Sequence, residues 1–151
     1  METTFQKIIR KTGKKPTNCK CKECKLQCGH PCLGTPDDLI KILESDFAKR
    51  TMIINWTGAM DFKLYDKPIT MMVPLYDEVN KSCTFFTDGL CELHNSGLKP
   101  TEGKLSHHST TLEKFNVKKS IGWAVSKEWL SIPNEKLNKL IELFNSTHPK
   151  L

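Results

Sequence analysis

The sequence predicts a small single domain of the α+β class, mostly helical and with a short hairpin near its centre. The chain has 151 residues, enough for one domain, and 38% of them are apolar. Two stretches repeat apolar residues at helical spacing, and one Asp-Gly pair lies between two short apolar runs. No apolar run approaches the roughly 20 residues of a membrane span, so we expect no membrane partner.

We divide the chain into a basic tail, residues 1–18, and a domain that covers residues 19–151. The tail is polar, and Gly13 and Pro16 interrupt any long helix, which leaves room for one short amphipathic turn. We expect this tail to be mobile or loosely docked.

Three helices are predicted within the domain. The first begins at Pro36, with a threonine before it and two aspartates after it, and runs to about Lys49. The second starts near Thr110 or Thr111. The third begins at Pro133 and carries a clear amphipathic stripe.

Two β features lie between the helices. Ile69, Met71 and Val73 alternate with their neighbours and predict a short strand. Runs 82–86 and 90–93 flank the Asp-Gly pair and predict the central hairpin. This hairpin would place one cysteine on each of two opposite limbs.

Seven cysteines are the most unusual feature of the composition. Five lie between Cys19 and Cys32, in a lysine-rich segment without periodicity that we expect to form a loop. Cys-x2-Cys and Cys-x3-Cys spacings let two thiolates converge on one ion, and nearby lysines stabilise bound thiolate. The pattern therefore predicts a cysteine-rich metal loop. The candidate ligands are Cys21, Cys24, Cys28, Cys32, Cys83 and Cys91, with Cys19 in reserve.

A disulfide framework and ordinary core packing are the two alternatives to a metal site. An odd count argues against the framework, and core cysteines scatter over helices and strands instead of crowding one loop. The first residues lack the apolar core of a signal peptide, so we expect the reducing cytoplasm. Four cysteines suit either zinc or an iron–sulfur cluster, and the spacing does not decide between the two.

The two cysteine blocks resemble those of the YkgJ-type cysteine-cluster family, described as zinc- or iron-chelating domains. The similar runs are CKCKECKLQCGHPCLGTPDDL and CTFFTDGLCELHNSGLKP, and Lys99-Pro100 stands where the family has Arg-Pro. The resemblance implies metal chelation and favours an iron–sulfur cluster over zinc. The family tends to carry one more cysteine after its Arg-Pro. This chain has none there, so His107 and His108 are the nearest candidate ligands on that side.

The leading functional hypothesis is a metal-binding protein. One alternative is a redox or metal-dependent enzyme with an open coordination position, and another is a zinc-stabilised nucleic-acid-binding module. The formal net charge is +6, and residues 1–25 carry all of this excess, with eight basic and two acidic residues. Since the rest of the chain is neutral, no extended basic face supports nucleic-acid binding. The sequence contains no Gly-rich phosphate loop, no His-Glu-x2-His helix and no Gly-x-Ser-x-Gly elbow.

Overall fold

The structure is a computed structural model and describes residues 1–19, 21–26, 30–110, 113 and 115–148. Within these ranges it contains helices and short antiparallel strand pairs, which confirms the predicted α+β class. The helices are α1 (Thr4–Thr12), α2 (Lys22–Leu26), α3 (Pro36–Leu43), α4 (Gly58–Asp61), α5 (Thr101–Leu105), a 3-10 turn (Val117–Lys119), α6 (Ile121–Leu130) and α7 (Asn134–Thr147). The strands are β1 (Thr51–Trp56), β2 (Ile69–Pro74), β3 (Tyr76–Asp77), β4 (Ser82–Cys83), β5 (Phe86–Thr87) and β6 (Leu90–Cys91).

The antiparallel pair of β1 and β2 is the main sheet of the fold. Its register runs from Thr51 opposite Pro74 to Trp56 opposite Ile69. Five of the six residues of β2 are buried, and α6 packs against this strand. The predicted strand is thereby confirmed. Its partner β1 has a weaker pattern because its residues after the first are only partly buried or exposed.

α3 and α7 begin where the sequence predicts them, at Pro36 and, directly after Pro133, at Asn134. A capping box fixes the start of α3. The Thr35 hydroxyl accepts the Asp38 N–H at 3.2 Å, and the Asp38 carboxylate accepts the Thr35 N–H at 3.0 Å. α3 then packs against α7, so that each helix has an apolar surface on which to bury its own apolar face.

α3 is shorter than predicted and ends at Leu43 instead of near Lys49. The Ser45 hydroxyl donates to the Ile42 carbonyl at 2.6 Å, which offers the backbone a local alternative to the next helical turn.

α6 begins later than predicted, at Ile121, and Thr111 lies outside the described residues. Ser120 caps the helix, because its hydroxyl accepts the Trp123 N–H at 3.2 Å. Gly122 consequently lies in the first turn, where its low helix propensity costs less than in the interior.

The central hairpin is confirmed, but its limbs are shorter than predicted. β5 and β6 pair around Asp88 and Gly89, which both have positive φ, as a two-residue type I′ turn requires. Cys83 lies outside this hairpin and pairs with Tyr76 in a second one. The prediction that Cys83 and Cys91 occupy opposite limbs of one hairpin is therefore wrong.

The N-terminal segment is packed more closely than a loosely docked tail. α1 packs against α6, and Ile8 of α1 is fully buried in the hydrophobic core. The Lys7 ammonium pairs with the Glu128 carboxylate of α6 at 2.7 Å. This docking brings the chain after α1 to the side of the domain where α5 lies.

Candidate metal centre

Three cysteines and one histidine converge at one point of the surface. The donor atoms of Cys19, Cys21, Cys24 and His108 all lie within 4.8 Å of one another. The His108 Nδ1 atom is 3.6, 3.4 and 3.3 Å from the three sulfurs in that order. These four side chains are close enough to hold one metal ion.

Two hydrogen bonds bring the cysteine segment to His108. The Thr17 N–H donates to the Lys104 carbonyl at 3.1 Å. The Lys14 ammonium donates to the Thr110 hydroxyl at 2.7 Å. The stretch before Cys19 therefore runs beside α5 and the loop that follows it.

A second set of contacts fixes α5 from the other end of the cysteine loop. The Leu33 N–H donates to the Glu102 carboxylate at 2.9 Å, and the Glu102 N–H donates to the Leu33 carbonyl at 3.0 Å. The Asp38 carboxylate accepts both the N–H and the hydroxyl of Thr101, at 2.9 and 2.6 Å. Because α5 is held in this way, the histidines just beyond its end have a defined position.

The four side chains of the ligand group differ in their exposure to solvent. Cys24 is buried, Cys19 is half-buried, and Cys21 and His108 are exposed. Cys21 and Cys24 are connected by a short helical turn, in which the Cys24 N–H points at the Cys21 sulfur at 3.4 Å. An ion held here would have one side toward the core and one side near solvent.

The surroundings shift the pKa values of two of the thiols in opposite directions. The Cys24 N–H lowers the pKa of the Cys21 thiol to about 7, because it stabilises the thiolate. Burial raises the pKa of the Cys24 thiol to about 11. A cation that binds at this point must therefore displace a proton from Cys24, whereas Cys21 already carries thiolate character near neutral pH.

The group of mutually close donor atoms found among the described residues does not include His107. The His107 Nδ1 atom accepts the Ser109 N–H at 3.1 Å, and its ring packs on the His108 ring with centroids 3.9 Å apart. His107 thus contacts a candidate ligand without offering its own Nδ1 to the same point.

The remaining predicted cysteines are not among the four mutually close residues or lie outside the described residues. Cys83 is buried in the hydrophobic core. Cys32 and Cys91 line a small pocket of about 70 Å³ to which Cys19 and Cys24 also contribute. Cys28 lies outside the described residues. That the second cysteine block supplies ligands to the same centre stays a prediction.

Two members of the group are only reserve candidates by sequence. Cys19 precedes the regular spacings, and His108 is separated from the cysteines by 84 residues or more. The available signal for His108 is the absence of a cysteine after Lys99-Pro100, which leaves a histidine as the nearest donor on that side.

Comparison of the chain with protein-family models, with curated proteins and with solved structures gives no match. In the described part of the chain, every helix is too short or too polar to cross a bilayer.

A carboxyl group beside the centre gives a pH-dependent prediction. Burial raises the pKa of Glu102 to about 6 from its ordinary value of 4.5, although the Leu33 N–H opposes this shift. The folded chain therefore holds this proton more tightly than the unfolded chain, and the ionised carboxylate costs stability as pH rises from about 4.5 through about 6. We expect Glu102→Gln, which keeps the acceptor for Leu33, to raise the free energy of unfolding at pH 7 by up to about 2 kcal/mol.

Denaturant unfolding of both proteins across this pH range, with zinc in excess, measures the effect. The difference between them should grow between pH 4.5 and 6 and stay constant above. A difference that is the same at every pH would contradict the buried-carboxyl explanation.

Proposed function

We propose that the protein is a zinc-binding protein in which Cys19, Cys21, Cys24 and His108 hold one structural zinc ion. The observation that carries this proposal is the convergence of three sulfurs and one imidazole nitrogen within 4.8 Å. Cys3His is one of the common ligand sets of structural zinc.

The donor distances fit a single tetrahedral ion. Zinc–sulfur bonds of about 2.3 Å and zinc–nitrogen bonds of about 2.0–2.1 Å in a tetrahedron separate sulfur from nitrogen by about 3.5 Å. The three sulfur-to-Nδ1 distances are 3.3, 3.4 and 3.6 Å. These sulfur-to-nitrogen distances agree with the tetrahedral value.

The same compactness favours zinc over the iron–sulfur cluster that the family resemblance suggests. In a cubane cluster each protein ligand binds a different iron, so its ligand atoms lie around the cluster instead of around one point. Donor atoms that lie within 4.8 Å of one another suit one ion better. We also propose that the chain belongs to the YkgJ-type family. That family is described as zinc- or iron-chelating, and the site suits zinc.

A group of four protein ligands supports a structural role over catalysis. Catalytic zinc sites usually have three protein ligands and keep the fourth position for water or substrate. Here the four donors would complete a tetrahedron, which leaves no position for an exogenous molecule. The ion would tie the segment before α2 to the loop after α5.

Metal analysis of the protein purified without added metal tests the proposal. We expect one zinc per chain, a colourless protein, and, after replacement by cobalt, the visible absorption of a tetrahedral thiolate-ligated ion. Cys91→Ser is the matched control, because Cys91 lies beside the ligand group but outside it, and it should retain full zinc. A brown protein with iron and labile sulfide, or loss of zinc in Cys91→Ser, would contradict the assignment.

A further inference from the structure

A second and larger pocket opens next to the candidate metal centre. Its volume is about 460 Å³, within the range of about 300–1,000 Å³ that small-molecule sites occupy. It lies between the end of α1, the β1–α4 region and the start of α6. His107 lines this pocket and packs on the candidate ligand His108, so the pocket lies next to the ligand group.

Aromatic rings form much of the wall. Trp56, Trp123, Phe62 and Phe115 all line the pocket. Phe62 and Phe115 are 54% and 43% exposed, and their rings lie 5.9 Å apart at the rim. Large aromatic side chains that remain this exposed beside a cavity are typical of a binding surface.

The pocket tryptophans differ from the third tryptophan of the chain. Trp129 is buried, and its indole N–H donates to the Gly34 carbonyl at 2.8 Å, so its role in packing is clear. Trp56 and Trp123 are only half-buried and line the pocket, and the Lys127 ammonium lies 5.6 Å from the centroid of the Trp123 ring. Gly58 leaves room for the Trp56 ring, because a Cβ at this glycine would overlap the ring.

Two lysines bring positive charge to the pocket edge, and the Lys14 ammonium donates to the Thr110 hydroxyl, which also lines the pocket. Lys14 and Lys119 line the pocket, and neither has a carboxylate partner among the described residues. The first turn of α6 lies on the same side, and the N–H groups of Ile121 and Gly122 have no acceptor within the helix. Two ammonium groups and a helix N-terminus together favour an anion, and a phosphate in particular.

We propose that this pocket binds a nucleoside monophosphate unit. The base would stack on Trp56 and on the face of Trp123 opposite Lys127, with Phe115 in contact with it. The phosphate would lie between Lys119 and the start of α6. The Glu102 carboxyl group also lines the pocket, and its oxygen that does not accept the Leu33 N–H supplies a hydrogen-bonding group for the edge of the base.

The same chemistry occurs in a free mononucleotide and in one residue of a single-stranded nucleic acid. Base stacking and phosphate contacts are common to both. The volume of the pocket suits one nucleotide in either case. The proposal is independent of the zinc assignment, because none of the four candidate ligands lines this pocket.

Calorimetric titration of the full chain, with its metal content measured, tests the proposal. The probes are the four common ribonucleoside 5′-monophosphates, the corresponding nucleosides, ribose 5-phosphate and a short single-stranded RNA. At least one monophosphate should bind saturably, and its nucleoside and ribose 5-phosphate should each bind about tenfold more weakly or worse. RNA that binds tenfold more tightly than the monophosphate identifies a strand as the source, and RNA that binds equally or more weakly identifies the free nucleotide.

Variants on the exposed rim separate this site from general attraction to a basic protein. Lys119→Gln and Phe115→Ala should each weaken monophosphate binding about tenfold. Lys118→Gln is the matched control, since this neighbouring lysine is equally exposed and does not line the pocket. Equal losses in Lys118→Gln and Lys119→Gln, or no saturable binding of any monophosphate, would overturn the proposal.

Discussion

Replacing His108 with alanine is expected to weaken zinc binding by more than about 100-fold, since changes to residues that merely support a ligand already cost 10–100-fold. The Nδ1 atom of His108 is the donor that lies within 3.6 Å of all three sulfurs. Its removal would leave three thiolates and a position open to water.

His107→Ala is the matched control for this variant. The two histidines are neighbours in sequence and their rings are in contact, but the Nδ1 atom of His107 accepts the Ser109 N–H. We expect the His107 variant to lose less than tenfold in affinity, through weaker positioning of the His108 ring. Competition with a chromogenic zinc chelator measures both. Equal losses in the two variants would show that the site depends on the loop as a whole and that His108 is not a ligand.

Local sequence signals predicted the elements around the site well. The start of α3 follows from Thr35, Pro36 and the aspartates after them, because capping depends on residues within one turn. The type I′ turn follows from Asp88-Gly89 for the same reason, since positive φ at two consecutive positions selects these residue types.

One error in the prediction comes from two neighbouring turns that compete for the same strand. The sequence placed Cys83 opposite Cys91, whereas a separate hairpin pairs Cys83 with Tyr76. The Asp77 side chain accepts the N–H groups of Val79 and Asn80, which stabilises that earlier turn. Two turns that are each locally favourable compete for the same strand, and periodicity alone does not reveal which one it joins.

The candidate site depends on both local and long-range features of the chain. The cysteine spacing predicted that thiolates would converge, and Cys21 and Cys24 do so within one helical turn. The choice of His108 as their partner depends on the docking of α1 and on the contact of Thr17 with Lys104. Those contacts connect parts of the chain that are far apart in sequence, and no local pattern encodes them.

This long separation leads to a second large effect, on stability. A zinc ion bound by Cys19 and His108 closes a loop of 89 residues. Because these ligands are far apart in the unfolded chain, the ion binds the folded chain preferentially, which stabilises the fold by about 4 kcal/mol when free zinc exceeds the dissociation constant about 1,000-fold. We therefore expect removal of zinc by a chelator, under reducing conditions, to lower the free energy of unfolding by about this amount.

For a chain of this size, such a loss corresponds to a decrease of about 10–20 °C in the midpoint of thermal unfolding. Thermal scans of the zinc-loaded protein with and without chelator measure it, and metal analysis of the same samples confirms that zinc has left. His108→Ala should unfold at the same temperature in both conditions, because it has no tightly bound ion to lose. If the unmodified protein released its zinc without any change in midpoint, the ion would not connect the two segments, and the Cys3His assignment would fail with it.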